Sequence, residues 1–402
     1  MLNLTVIFIL ILIILEISVM ILFFWLKKDF QWLVGSQDLN PVFEKKKYNN
    51  FLKNSYDKDL GWDRKSNTKG SELSNKKTFF KINKNGSRGI NKFGKNKISV
   101  FGDSFAFCRY VNDNETWQFH LSNKYKFNVL NFGVGNYGLD QAFLKYLKKK
   151  KQIQSKKIVF CVVPETIARV FSYWKHFREF KNIFAIKPIY NFKNSKIKVI
   201  RAPKLHVKTV SKKNLKFDTN LYYKLRDQDI FYNMKFMKSI FKFPYTISFL
   251  KNFKINSFLF FYLSYGKITS IFNKKNYRTF YSKAFSKILE KNIAESHNFY
   301  VKKEFRDSFV KLLNHIDDYF KKNEVKYSIV IVPQYYDLKL VKSRMEYINF
   351  YKNLKNKNIV DMSNEFLKLK DWRKLYFIDK YGGHLNKRGN KFLANLFAQK
   401  NL

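Results

Sequence analysis

Apolar residues in this chain fall into three patterns. The first is one unbroken run, LTVIFILILIILEISVMILFFWL, from Leu4 to Leu26, with no polar face at any period. The second begins at Lys97, where short apolar runs alternate with segments of helical period. The runs KISVFGDS, FNVLNFGV, KIVFCVVP, KYSIVIVPQ and NIVDMS predict strands. Between and after them, NETWQFHLSNKY, LDQAFLKYLKKK, FRDSFVKLLNHIDDYFKK, EYINFYKNLKN and HLNKRGNKFLANLFAQK predict helices. Strands that are apolar throughout, with helices between them, imply a parallel sheet covered on both faces.

The third pattern interrupts the second. Between about Phe171 and Val301, IYNFKNSKIKVIRAP reads as β-like, and an aromatic, lysine-rich stretch from Phe236 to Phe272 reads as helical. Lysines and Pro244 break its apolar runs, so a second membrane span is not expected there. It fits either a helical subdomain or a segment lying on a membrane surface. The chain thus divides into an anchor (1–27), a polar lead-in (28–96), a first core part (97–170), an insertion (171–301) and a second core part (302–402). Within the lead-in, FFKINKNGSRGI carries the Asn85-Gly86 turn signal and predicts a small hairpin.

A membrane-crossing helix needs about 20 apolar residues, so the first run is long enough. It lacks a basic n-region and a small-residue cleavage site, which fits a retained anchor better than a removed signal peptide. Glu16 lies inside it, where an ionised carboxylate costs about 3 kcal/mol on insertion scales. The segment therefore predicts a protonated Glu16 or a partner for it. Lys27 and Lys28 follow the helix and no lysine precedes it, which by the positive-inside rule favours a cytoplasmic body.

Composition changes this picture little. The formal charge of +48 would suit nucleic acid or anionic lipid. Yet lysine is spread along the whole chain together with Asn, Ile, Phe and Tyr, as A+T-rich coding bias produces. No zinc-finger spacing or RNA-binding aromatic motif accompanies it, so nucleic-acid binding is not expected. Two cysteines, Cys108 and Cys161, make no disulfide framework, and the six histidines show no ligand spacing. No metal and no organic cofactor is expected.

Candidate chemistry sits at strand ends. Ser104 in FGDSFAFC follows a strand and opens a helix, a place that suits a nucleophile and equally a plain helix cap. The turn NFGVGNYG brings Gly133, Gly135 and Asn136 where backbone N–H groups could approach an oxyanion. His384, after two glycines and before the last helix, could serve as a general base, with Asp379 the nearest upstream carboxylate. PETIARVFSYWKHF, after the third strand, gathers Glu165, Arg169, Trp174, Lys175 and His176, which would suit a sugar and a carboxylate or acyl donor.

In this order, GDS, N-x-G and GGHLN resemble the SGNH (GDSL-like) hydrolase family over roughly Lys97–Arg169 and Val325–Lys400. YDKDLGWDRKSN and INKNGSRGI also resemble the lead-in of bacterial membrane-anchored members. The resemblance implies a flavodoxin-like three-layer α/β sandwich with Ser104 as nucleophile and His384 as base. It further implies an oxyanion hole built from the Ser104 N–H, a glycine N–H of the second motif and an asparagine of the third. This chain departs in that Pro164-Glu165-Thr166 stands where the asparagine is expected, and Tyr381 stands where the family has the aspartate. Either Asp379 then orients the histidine or the site runs as a Ser–His pair. The implied activity is an esterase or acyltransferase acting on acyl groups, such as acetyl, of a surface glycan, with the body outside the cytoplasm and the membrane held by the N-terminal helix. The alternative is a glycan-binding or assembly protein that kept the fold and lost part of the site.

Overall fold

The computed structural model describes residues 2–73, 77–192, 197–341, 345–354, 356, 358–377 and 383–401. The elements used below, in chain order, start with α1 (Leu2–Lys27), β1 (Asn96–Gly102), α2 (Ser104–Phe107) and α3 (Trp117–Tyr125). They continue with β2 (Asn128–Asn131), α4 (Leu139–Lys149), β3 (Lys157–Val162), α5 (Thr166–Val170), α6 (Tyr245–Lys251) and α7 (Phe253–Thr269). The series closes with α8 (Lys303–Lys322), β4 (Lys326–Ile331), α9 (Glu346–Asn353), β5 (Ile359–Asp361) and α10 (Lys387–Asn401).

The chain forms two compact units. The larger comprises Leu52–Phe171, Lys187–Ala202 and Leu289–Leu402. Its centre is a five-stranded, all-parallel sheet in the order β2-β1-β3-β4-β5. That doubly wound order reverses direction between β1 and β3, the position at which open α/β sheets bind ligands.

Both faces of this sheet are covered. On one, Ile98, Val100, Val129, Val159, Cys161 and Val330 share a core with Trp117 and Leu121 of α3 and with Leu393 and Phe397 of α10. On the other, Phe101 and Phe160 meet Phe143 and Tyr146 of α4 and Phe320 of α8. Side chains of a strand alternate between faces, so both sets must be apolar, and the runs show no alternation for that reason.

The predicted lead-in hairpin is present as a short antiparallel bridge from Ile82 to Arg88, and a longer hairpin lies upstream of it. Lys77–Ile82 pairs back onto Thr68–Leu73, antiparallel, and Asn83–Ser87 is a closed turn after it. The first strand, TKGSEL, has no apolar face, so its hydrophobic pattern carried no signal.

The smaller unit comprises Met1–Phe51, Ser172–Ile186 and Pro203–Ile288. The boundaries differ from the sequence segments, because residues 187–202 and 289–301 fold with the sheet and the anchor folds with the rest of the insertion. Residues 4–27 of α1 are long and apolar enough to cross a membrane, an 18-residue stretch of them having mean hydropathy 3.2. Its first part, Leu4–Leu15, is exposed on all sides. From Glu16 onward one stripe is covered, at Glu16, Val19, Met20, Phe23, Leu26 and Lys27, by α6, α7 and neighbouring segments of the same unit. The partner that the sequence demanded for Glu16 is backbone: its carboxylate accepts from the N–H groups of Tyr245 and Thr246 at the start of α6.

Candidate active site

β1 ends at Gly102, whose φ of +148° only glycine adopts easily and whose added Cβ would lie 1.8 Å from the Cys161 carbonyl oxygen. The chain therefore leaves the sheet pressed against β3. Asp103 follows as the N-cap of α2, its Oδ1 accepting from Phe105 N–H at 2.8 Å. Ser104 is the first residue of that helix, so its own N–H has no intrahelical acceptor.

His384 arrives from the other end of the chain. It lies on a short strand paired with Phe377, and its Nε2 is 2.9 Å from Ser104 Oγ. Serine and histidine are both buried. The imidazole stacks on Phe105 at 5.2 Å between centroids and meets the Tyr110 ring edge-on at 5.7 Å. These contacts fix the plane of the ring beside the hydroxyl. Asp379 and Tyr381 lie outside the described residues.

The glycine turn packs against the serine helix. A Cβ on Gly133 would sit 2.2 Å from Phe107 N, so only glycine permits this approach. The Gly133 N–H is already given to Asn131 Oδ1 at 3.0 Å. At Gly135 a Cβ would meet open space, and Asn136 holds a left-handed φ of +69°. Among the described residues of the turn, the N–H groups of Gly135, Asn136 and Gly138 have no such commitment, and the first two lie at its tip. Trp62 from the lead-in steadies the turn: its Nε1 donates to Gly135 O, its carbonyl accepts from Tyr137 Oη, and the two rings meet edge to face.

Beneath the serine lies a buried charge network. Asp103 Oδ2 accepts from Val163 N–H at 2.9 Å and from Arg169 Nη1 at 3.1 Å. The same guanidinium donates through Nη1 to Tyr137 O and through Nη2 to Glu165 Oε2 at 2.7 Å. Arg169 therefore ties together the ends of β1, β2 and β3. Burial pushes the Asp103 carboxyl up, while Arg169, the backbone N–H groups and nearby His384 pull it down. Glu165, which would oppose an oxyanion as a bare carboxylate, is here balanced by Arg169 four residues on.

A second buried arginine holds the other side. Arg88 donates to the carbonyls of Phe107, Cys108 and Val111, pairs with Asp113, and its ring-facing guanidinium lies 4.4 Å from the Phe107 centroid. Sequence reading missed this clamp, since an arginine in a polar turn carries no local sign of burial. Fully buried Cys108 and Cys161 have their thiols pushed up by desolvation, Cys108 to about 12, which suits core packing and not nucleophilic attack.

The remaining residues of PETIARVFSYWKHF do not join this site. Trp174, Lys175 and His176 belong to the smaller unit and are buried in it. Trp174 Nε1 donates to Ile183 O, Lys175 pairs with Glu179, and the His176 ring lies between Asp38 O and Lys181 N–H. The expectation of an open sugar-binding cluster there gives way to packed, satisfied side chains. Among the described residues no three His, Cys, Asp or Glu side chains group to hold a metal.

No protein-family model and no curated protein matches the chain. Among solved structures, one similar chain is a protein assigned to the lipolytic G-D-S-L family from Desulfitobacterium hafniense DCB-2. The overlap is local: 19% identity, 17% of this chain and 39% of that one, with a TM-score of 0.16.

Proposed function

We propose that this chain is a membrane-anchored serine esterase or acyltransferase with the flavodoxin-like SGNH architecture. The observation that supports it best is the 2.9 Å approach of His384 Nε2 to Ser104 Oγ, two residues separated by 280 positions. A nucleophile and its base within hydrogen-bond reach, at the carboxyl ends of parallel strands, is the arrangement acyl transfer requires.

In this reading Ser104 Oγ attacks the ester carbonyl as His384 Nε2 takes its proton. The N–H groups of Ser104 and of Gly135 or Asn136 receive the developing oxyanion, each such donor being worth about 10²–10³ in rate. Collapse expels the alcohol, protonated by His384, and leaves an acyl-serine. Water or an acceptor hydroxyl then attacks that ester with His384 again as base. Asp379 is assigned the second imidazole nitrogen as the nearest upstream carboxylate, since Tyr381 stands at the family's aspartate position. The substrate class, acyl groups on a surface glycan, and an extracytoplasmic body rest on the sequence resemblance.

A fluorophosphonate probe tests the reading. Labelling of the full chain, lost in Ser104→Ala and reduced in His384→Gln, is the expected result. A folded wild type that stays unlabelled would overturn it and favour a binding protein, in which Glu165 replaces the missing asparagine without harm. Alkaline phosphatase fused after residue 402 is expected to be active if the body lies outside the cytoplasm.

A further inference from the structure

The serine chemistry leaves the smaller unit unexplained, and beyond α1 that unit exposes apolar side chains along α6 and α7. Ile247, Leu250, Phe253, Phe261 and Ile268 are each more than half exposed. In α7, FKINSFLFFYLSYGKIT, apolar residues point in every direction and only Lys254 and Lys267 are charged. A helix apolar all round belongs in a protein core or in lipid. The inner side of α7 has such a core, through Leu259, Phe260 and Leu263, and its outer side has none.

The position of the pair along α1 indicates what covers that outer side. At one end Glu16 receives the first N–H groups of α6, and at the other Lys267 donates to Trp25 O and pairs with Asp29. Between these levels Phe23 stacks on Phe241, which in turn stacks on Phe260 of α7. Glu16 and Lys27 are about 16 Å apart along a helix axis. If the apolar layer began at Glu16, only Leu4–Leu15 would remain to cross it, about 18 Å of helix against about 30 Å of hydrocarbon. A spanning α1 must therefore carry its covered half, and the helices that cover it, into the layer.

We propose that α6 and α7 are embedded beside α1 in the leaflet on the side of the chain's body, where acyl chains meet their outer face. The anchor is then not a single helix on a tether but a three-helix element. Glu16 has its hydrogen bonds supplied from within that element, as a buried acceptor in hydrocarbon must. Lys251 and Lys254, exposed where α6 turns into α7, extend their stems toward the headgroups. This inference is independent of the enzyme reading.

The test uses the full chain in vesicles of phosphatidylcholine and phosphatidylglycerol, with an environment-sensitive fluorophore on single introduced cysteines. Both native cysteines are buried and take up no label. Ile247→Cys, Phe261→Cys and Ile268→Cys sit on the outer face, where substitution leaves the packing intact, and Ile13→Cys and Lys368→Cys serve as lipid and water references. Doxyl-labelled acyl chains are expected to quench the three outer-face sites as strongly as the Ile13 site. Aqueous iodide is expected to quench them about threefold less than the Lys368 site, as water-poor hydrocarbon demands. Iodide quenching equal to that at Lys368, without doxyl quenching, would overturn the proposal.

Discussion

Arg169 Nη1 lies 3.1 Å from Asp103 Oδ2, and this ion pair is sealed under the turn that presents Ser104. The carboxylate that caps the serine helix and the arginine after the third strand depend on each other. Removing Arg169 leaves two buried carboxyl groups, Asp103 and Glu165, without their cation, whereas removing Asp103 leaves Arg169 with Glu165 alone.

Arg169→Leu is accordingly expected to lower stability by about 3–5 kcal/mol, the usual result of orphaning a buried charge. Urea unfolding of the detergent-solubilised chain measures it. Glu165→Gln, which keeps an acceptor for Nη2, is expected to cost about 1 kcal/mol or less.

Asp103→Asn keeps one acceptor oxygen and turns a donor toward either Phe105 N–H or the Val163 and Arg169 donors. The loss is expected to be about 2–3 kcal/mol. In Asp103→Asn with Arg169→Leu the combined loss should fall short of the sum by more than about 1 kcal/mol, because the two remove the same interaction. Additive losses would contradict the coupling.

The first two glycines of the second motif should behave oppositely. Gly133→Ala drives a methyl into the backbone of α2 and is expected to destabilise by about 1–3 kcal/mol and to slow fluorophosphonate labelling. Gly135→Ala meets open space, so the melting temperature should stay within about 1 °C of wild type. Thermal melts of both variants read this contrast directly.

His176 predicts acid sensitivity of the smaller unit. Burial holds the imidazole's pKa down to about 4, against an ordinary value of 6.5. The unfolded chain therefore binds the extra proton first as pH falls. Stability is complete above about pH 6.5 and declines as pH drops toward 4, by about 3 kcal/mol in all. Trp174, its ring tilted against His176 at 4.8 Å between centroids, lies close enough to report the transition by fluorescence. A urea midpoint that stays flat from pH 7 to about pH 4.5 would rule the effect out.

How much of this was legible beforehand follows the range of the interactions. The central strands stood out because they are buried on both faces and run largely apolar, as IVFCV in β3 does. Ser104, His384 and the glycine turn could be picked out only as an ordered set of motifs. The supports of the site were hidden for a physical reason: Arg88 and Arg169 look like surface charges until Asp113 and Asp103 close on them from distant positions. Glu165 read as a defect because its neutralising partner becomes a neighbour only once α5 forms. The division of residues 171–301 between two units was equally invisible, since no change of composition marks residues 187, 203 or 289.

The 280-residue separation of Ser104 from His384 has a consequence for synthesis. Ser104 leaves the ribosome 280 residues before His384. Through that interval its hydroxyl has no imidazole beside it. A nascent chain, or one clipped upstream of His384, would carry the serine on its helix without the neighbour that approaches it in the folded sheet unit.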